Sequence, residues 1–235
     1  MNKTLFLRLL PIIIITLLMT TAYFLEFEQY ITFEQLKLHR QTLLEMVATY
    51  SVLAPVTFVF IYIITTALSI PAGAILSIAA GFLFPQPLST IYVVIGATIG
   101  ATCIFLAAKS ALGDLLKKKA GPLLHKMHDG FHENAASYLL FLRLVPAAPF
   151  WLVNLAPAFF GVSLITFMWT TFVGIIPGTF VFTQAGAGLS SIFEGDNDLS
   201  IQSIFTTDIK IALIALAIFA LLPVLIKGFK RRQKK

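Results

Sequence analysis

Apolar residues run through this chain in blocks far longer than a soluble core uses. No Asp, Glu, Lys or Arg occurs from Met46 to Ala108, and none from Leu144 to Phe193. A helix takes about 20 apolar residues to cross a bilayer. The first block therefore predicts two crossings and a third, shorter element, and the second predicts one crossing with a remainder. Two shorter apolar segments, Leu9–Leu25 and Ile211–Ile226, bracket the blocks and predict terminal membrane helices. Lys3 and Arg8 ahead of the first segment also fit a cleaved signal peptide, but apolar residues continue through Phe24 and Leu25, which favours an uncleaved helix.

Interruptions within the blocks predict more than straight spans. Pro146, Pro149 and Pro157 prevent a continuous helix between residues 138 and 162, and Asn154 adds a polar group there. Such a segment is expected to enter and leave the membrane on one side, as is the segment 71–84 behind Pro71. Backbone of this kind is tolerated at membrane depth only against protein or a wet cavity. Residues 26–46 mix Glu26, Glu28, Glu34, Lys37, Arg40 and Glu45 with Phe27, Ile31, Phe33, Leu36, Leu43 and Leu44, predicting an interfacial amphipathic helix or a solvated connector.

The two blocks are related to each other. The register that sets Pro71 on Pro149 also sets Ala80 on Ala158, Phe82 on Phe160, Gly96 on Gly174, Gly100 on Gly178 and Ala107 on Ala185. In each copy a helix-breaking Pro precedes a Gly-x-x-x-Gly pair at the same distance, and such pairs let helix backbones approach closely in lipid. Paired broken segments in corresponding halves point to a transporter binding site, with the discontinuous pieces set against each other near the midplane. The expected fold is all-α: a polytopic membrane protein with two inverted repeats, each a re-entrant hairpin plus a transmembrane helix. Residues 1–46 supply the N-terminal membrane and interfacial helices, 47–190 the core, and 191–235 the last helix with its tail.

Composition agrees, at 58% hydrophobic and 12% charged residues with a mean hydropathy of +0.89. The net charge of +6 is concentrated in two places. Lys227, Lys230, Arg231, Arg232, Lys234 and Lys235 follow the last apolar segment, and Lys109, Lys117, Lys118, Lys119 and Lys126 lie between the blocks. The positive-inside rule puts both clusters, and the C-terminus, on the cytoplasmic side, and a bacterial inner membrane is the expected location. The first repeat then ends inside and the second runs outward, so the repeats are inverted, although Lys3 and Arg8 pull the N-terminus the other way. The tail is expected to touch anionic lipid headgroups. No nucleic-acid module accompanies the charge, so nucleic acid is not an expected partner. Membrane lipids are, and a homo-oligomer stays open.

Candidate chemistry is sparse. Arg143 is the one charge between Glu133 and Glu194 and falls in the second broken segment, where a charge must face a cavity or a partner. Its guanidinium suits phosphate recognition, and snorkelling to the interface is the competing role. Asn154 suits either a headgroup or freed backbone. Pro71, Gly81, Pro146, Pro149 and Gly161 are expected to shape the hairpins, and Gly96, Gly100, Gly174 and Gly178 to pack helices. His125, His128 and His132 share a helical face, yet read as solvated surface residues rather than metal ligands. With four histidines, no His-Glu-x-x-His motif and no Gly-x-Ser-x-Gly elbow, no metal, cofactor or enzymatic activity is expected. Cys103, within an apolar segment, reads as a packing residue.

Several of these stretches resemble the DedA superfamily, in the branch of SNARE-associated Golgi proteins that carries the VTT domain. They are Ile70-Pro71, Ala79-Ala80-Gly81-Phe82-Leu83-Phe84, Leu142-Arg143-Leu144-Val145-Pro146, Pro149-Phe150, Asn154, and Gly174 to Gly178 with Pro177. The resemblance covers about residues 50–190 and implies two opposed re-entrant hairpins and activity in lipid translocation or ion-coupled transport. Members of the family have been linked to phospholipid scrambling, polyprenyl-phosphate recycling and the proton gradient. Pro85 and Ala158 stand where the family usually has Gly. No acid lies near Pro71, where members proposed to be proton-coupled carry one, so lipid translocation leads and ion- or proton-coupled solute transport follows. A membrane assembly factor acting through the tail and the 26–46 helix is the reading outside transport.

Overall fold

In the computed structural model, residues 38–70, 72–112, 134–144 and 150–194 are described, with residues 17, 20, 21 and 35. Pro71, Pro146, Pro149, the histidine run, the terminal segments beyond these and the basic tail lie outside the described residues. All regular structure among the described residues is helical: α1 Arg40–Thr49, α2 Leu53–Ala67, α3 Gly73–Leu83, α4 Leu88–Leu112, α5 134–144, α6 Phe150–Phe159 and α7 Leu164–Glu194. Two of them, α4 over Leu88–Ser110 and α7 over Leu164–Leu189, are long and apolar enough to cross a bilayer, with hydropathies of 2.2 and 1.7. α1 and α2 together pass the same test but are bent by 119°. That bend turns the tested part of the 26–46 segment off the line of α2.

The helices repeat. In the register that sets Pro71 on Pro149, α3 covers 151–161 against the observed Phe150–Phe159, and α4 covers 166–190 against Leu164–Glu194. In each unit the described residues give a helix, then a short helix, a turn and a long helix. The reason is local chemistry at each end. α2 closes with Ser69 in left-handed backbone, φ 53°, where the Ser69 amide donates to Thr66 O and the Ile70 amide to Thr65 O. α6 closes the same way around Gly161, φ 71°, with Gly161 N–H on Ala158 O and Val162 N–H on Pro157 O. Both are Schellman caps, which satisfy carbonyls that a helix end otherwise leaves bare in hydrocarbon. α3 stops because Pro85 forces the preceding Phe84 into extended backbone, φ −123° and ψ 142°.

Packing crosses between the units. The short α3 lies mainly on α7, and the short α6 on α4, so each short helix is buried chiefly by the other unit's long helix. Glycine explains the α3 side of this exchange. A Cβ on Gly81 would strike the carbonyl oxygen of Thr183 and lie 2.7 Å from its Cα, and one on Gly186 would strike the Ile78 carbonyl and lie 2.9 Å from Phe82 N. Backbone meets backbone there. Gly96 and Gly100 do the same for α4 on α2, where a Cβ would come within 2.9 Å of Tyr62 Cβ and 2.6 Å of Ile63 O. α4 is the central helix, 61% buried across its span, against 28% for α7.

Two cores result. Phe58, Tyr62, Leu76, Ala80, Phe84 and Val93 join α2, α3 and α4, with Phe84 edge-on to both Phe58 and Tyr92. Ala101, Phe105, Leu139, Leu142, Val153, Ala156 and Phe167 join α4, α5, α6 and α7. A Cβ at Gly178 meets nothing within 4 Å, unlike its repeat mate Gly100. Gly81→Ala is therefore expected to destabilise the folded protein by about 1–3 kcal/mol through overpacking. Gly178→Ala should leave stability unchanged or raise it by up to about 1 kcal/mol through helix propensity. Thermal unfolding in detergent of the two variants checks this contrast.

Candidate functional site

The second unit holds the charge. Arg143 sits on the last turn of α5, partly buried, with its stem lying in the space left by Gly174 on α7. A Cβ at Gly174 would be 2.8 Å from Arg143 Cβ and 3.2 Å from its Cγ. Arg143 Nη2 donates to Thr171 Oγ1 at 2.9 Å, and the guanidinium carbon lies 5.4 Å from the centroid of the Phe167 ring. Phe167, Thr171 and Gly174 follow one another at helical spacing, so one face of α7 receives the whole side chain. The Nε of Arg143 is buried and has no hydrogen-bond partner among the described residues. This cation is held in place with donor capacity left over.

Asn154 belongs to the same half. It is fully buried on α6, and neither its amide nitrogen nor its oxygen has a partner among the described residues. Three residues on, Pro157 lies inside the helix and cannot donate to the Val153 carbonyl, which frees a further acceptor. Leu142, beside Arg143, and Val153, beside Asn154, share one core cluster with Phe167. Each of the two sequence-predicted polar residues is thus the chain neighbour of a member of that cluster. Gly161 stands at the end of the same α6, and Gly81 lies in α3 of the other unit, packed against α7.

The first unit is built differently at the matching place. Gln86 Nε2 donates to Thr183 Oγ1 at 2.7 Å, Thr90 donates to Gln86 Oε1 at 2.9 Å, and Thr90 and Thr183 lie 2.8 Å apart, which closes a three-membered ring. Thr183 is fully buried. The ring pins the 84–87 turn to α4 and α7 beside the Gly81 contact. Tyr62 and Ser77 meet at 3.1 Å and both reach the carbonyl of Gly73, serving the start of α3. Sequence reasoning missed Gln86, Thr90, Thr183 and Ser77. Their partners are up to 97 positions away, and isolated hydroxyls in apolar runs carry no local signature.

A groove of about 420 Å³ lies between α4 and α7, lined by Thr98, Ile165, Met168, Trp169, Phe172 and Val173. These α7 residues lie on the face away from Phe167, Thr171 and Gly174, so the groove faces lipid and is separate from Arg143. Among the described residues no three His, Cys, Asp or Glu side chains come together as a metal site.

A helical protein with apolar spans, paired broken helices and an arginine among them is an integral membrane protein with a polar site inside its core. The comparisons give the family. The VTT domain is matched over residues 70–188, and the chain belongs to the VTT-domain family. It is 33% identical to the transmembrane protein 41 homolog of Dictyostelium discoideum over 174 residues, which is 73% of this chain and 50% of the relative. It is 30% identical to transmembrane protein 41B of Gallus gallus over 190 residues, 79% of this chain and 68% of the relative. The match to the Homo sapiens protein of that name is also 30%, over 62% of its length. The chain thus spans half to about two thirds of these relatives. No solved structure matches it.

Arg143 depends on Thr171 for its one hydrogen bond among the described residues and on Gly174 for room. Thr171→Val should destabilise the protein by about 1.5–3 kcal/mol, the range for a hydrogen bond to a charged group. Thr171→Ser, which keeps the oxygen, should recover most of that loss in a thermal unfolding series.

Proposed function

We propose that this protein moves phosphate-bearing lipids, phospholipid or polyprenyl phosphate, between the leaflets of its membrane. The headgroup passes a site formed where two re-entrant hairpins of inverted repeats enter the bilayer. The observation that carries the reading is Arg143, a cation packed at helix depth with a buried Nε that has no partner among the described residues. A guanidinium so placed costs free energy unless an anion or water completes it, and a phosphate oxygen fits its fork. Asn154 supplies a second polar contact for the headgroup or its ester region.

Support for the hairpins comes from α3 and α6, which at 11 and 10 residues are too short to cross. The exchanged packing of α3 on α7 and α6 on α4 is the pattern two repeats related by a two-fold axis produce. Charge placement puts that axis in the membrane plane, since basic residues follow α4 while acids follow α7. In this reading no bond is made or broken, and the protein is not an enzyme. The basic tail holds anionic headgroups on the cytoplasmic side of a bacterial inner membrane.

Proteoliposomes carrying fluorescent phospholipid, or polyprenyl phosphate, provide the test through a leaflet-resolved quenching assay. The protein should move lipid faster than empty vesicles do. Arg143→Ala should slow that movement at least about tenfold, as expected for losing a charge-assisted hydrogen bond. Movement no faster than in empty vesicles for both lipids removes the reading. Asn154→Leu separates function from stability: filling the site with an apolar side chain should raise the unfolding temperature while lowering lipid movement, because an unpartnered buried amide is unfavourable to folding.

A further inference from the structure

The half of the core that holds Arg143 contains a second cation, and the two are joined by an unbroken chain of contacts. Lys109, on the last described turns of α4, places Nζ 5.6 Å from the centroid of the Phe105 ring. Phe105 stacks on Phe167, centroids 4.3 Å apart and planes 15° from parallel. The Arg143 guanidinium lies over the Phe167 ring, 5.4 Å from its centroid. Both rings are fully buried, so neither tilts without disturbing the other. The same Lys109 Nζ donates to the Val162 carbonyl at 3.4 Å, in the turn that leads from α6 into α7 and hence to Phe167.

The repeat shows that this arrangement is not a by-product of the fold. The register that pairs Pro71 with Pro149 puts Thr183 in the place of Phe105, Ser89 in that of Phe167, Ala187 in that of Lys109 and Thr65 in that of Arg143. The matching positions, Thr65 and Ser89 in the first unit and Thr183 and Ala187 on α7, thus carry small or hydroxylated residues, and Thr183 belongs to the hydrogen-bonded ring. One backbone plan carries a neutral lock in one half of the core and two cations over an aromatic pair in the other.

We propose that Lys109 is a positioning residue for Arg143: through the Phe105–Phe167 stack and the Val162 carbonyl it fixes the plane on which the guanidinium rests, and so its aim at an incoming phosphate oxygen. Lys109 touches no headgroup in this role. An ammonium over the ring holds Phe105 flat, Phe105 holds Phe167, and Phe167 holds Arg143. Without Lys109 the α6–α7 turn loses its tie to α4 and the stack is free to slide. The guanidinium then samples poses in which Nε points away from the site. The inference rests on the reading of Arg143 as the headgroup contact.

The test uses the full chain in proteoliposomes and varies the mole fraction of a fluorescent phospholipid. Lys109→Met should raise the half-saturating lipid fraction about two- to fivefold, the range one exposed cation–π contact supports. The saturated rate should stay unchanged. Lys109→Arg should restore the wild-type value. In an Arg143→Ala background Lys109→Met should have no further effect. The idea is overturned by an unchanged half-saturation in Lys109→Met, by failure of Lys109→Arg to rescue, or by an equal loss in the Arg143→Ala background. Absence of lipid movement by the wild-type protein overturns the lipid reading alone. The positioning claim is then decided by thermal unfolding in detergent of the wild type, the two single variants and the double variant. Coupled residues give non-additive shifts, and additive shifts overturn the proposal.

Discussion

A peptide group released from a helix inside hydrocarbon must find a partner within the protein, and this requirement governs the whole arrangement. Among the described residues the chain breaks its helices between α2 and α3, between α3 and α4, and between α6 and α7. At the first and last of these the backbone closes on itself through Schellman caps at Ser69 and Gly161. Side chains add to this, Tyr62 of α2 and Ser77 of α3 donating to the Gly73 carbonyl and Lys109 of α4 to the Val162 carbonyl. Broken helices are therefore held by their neighbours, and the long α4 and α7 become the scaffold on which the short ones rest.

That scaffold explains why glycine is placed where it is. In lipid there is little hydrophobic gain from bringing apolar helices together, so closeness has to come from small residues and directed polar contacts. At the α3–α7 crossing both devices coincide, Gly81 and Gly186 allowing backbone contact while Gln86, Thr90 and Thr183 lock it. The α4–α6 crossing lacks that pair, since Phe159 and Ala108 stand where the other crossing has glycine. Its neighbourhood is filled by aromatic rings and contains the arginine. The two halves share a plan and differ in content: one is a joint of glycine and hydroxyls, the other an aromatic pair with charge.

How far the sequence reveals this depends on the range of each interaction. The repeat was legible because Pro and Gly act locally, and the register that pairs Pro71 with Pro149 reproduces the observed element boundaries to within a few positions. Gly96, Gly100 and Gly174 were legible for the same reason, as their spacing alone marks a face that can approach a neighbour. Gly178 has the same spacing and no neighbour within 4 Å, because a motif states that a helix can be approached and not that one is present. Arg143 announced itself by isolation among apolar residues. Thr171, which holds it, did not, being one of many threonines in apolar runs. Phe105 and Phe167 were hidden likewise, since they pair across two different helices, α4 and α7, and aromatic residues abound in membrane helices.

The choice of arginine at position 143 follows from what surrounds it. A guanidinium is planar, so it can lie along Phe167, give one nitrogen to Thr171 and still present Nε and its remaining N–H groups elsewhere. An ammonium at the same place would spend its compact charge on the nearest oxygen and keep no fixed direction for a second acceptor. If Arg143 is the headgroup contact proposed above, the residue is specified by the need to be half satisfied by protein: enough contact to remain folded, with donors left for an anion. Complete satisfaction by a carboxylate would have made it more stable and chemically silent. Among the described residues the apolar core around Arg143 offers it one hydroxyl and one ring, and that incompleteness is what makes a transient partner favourable there.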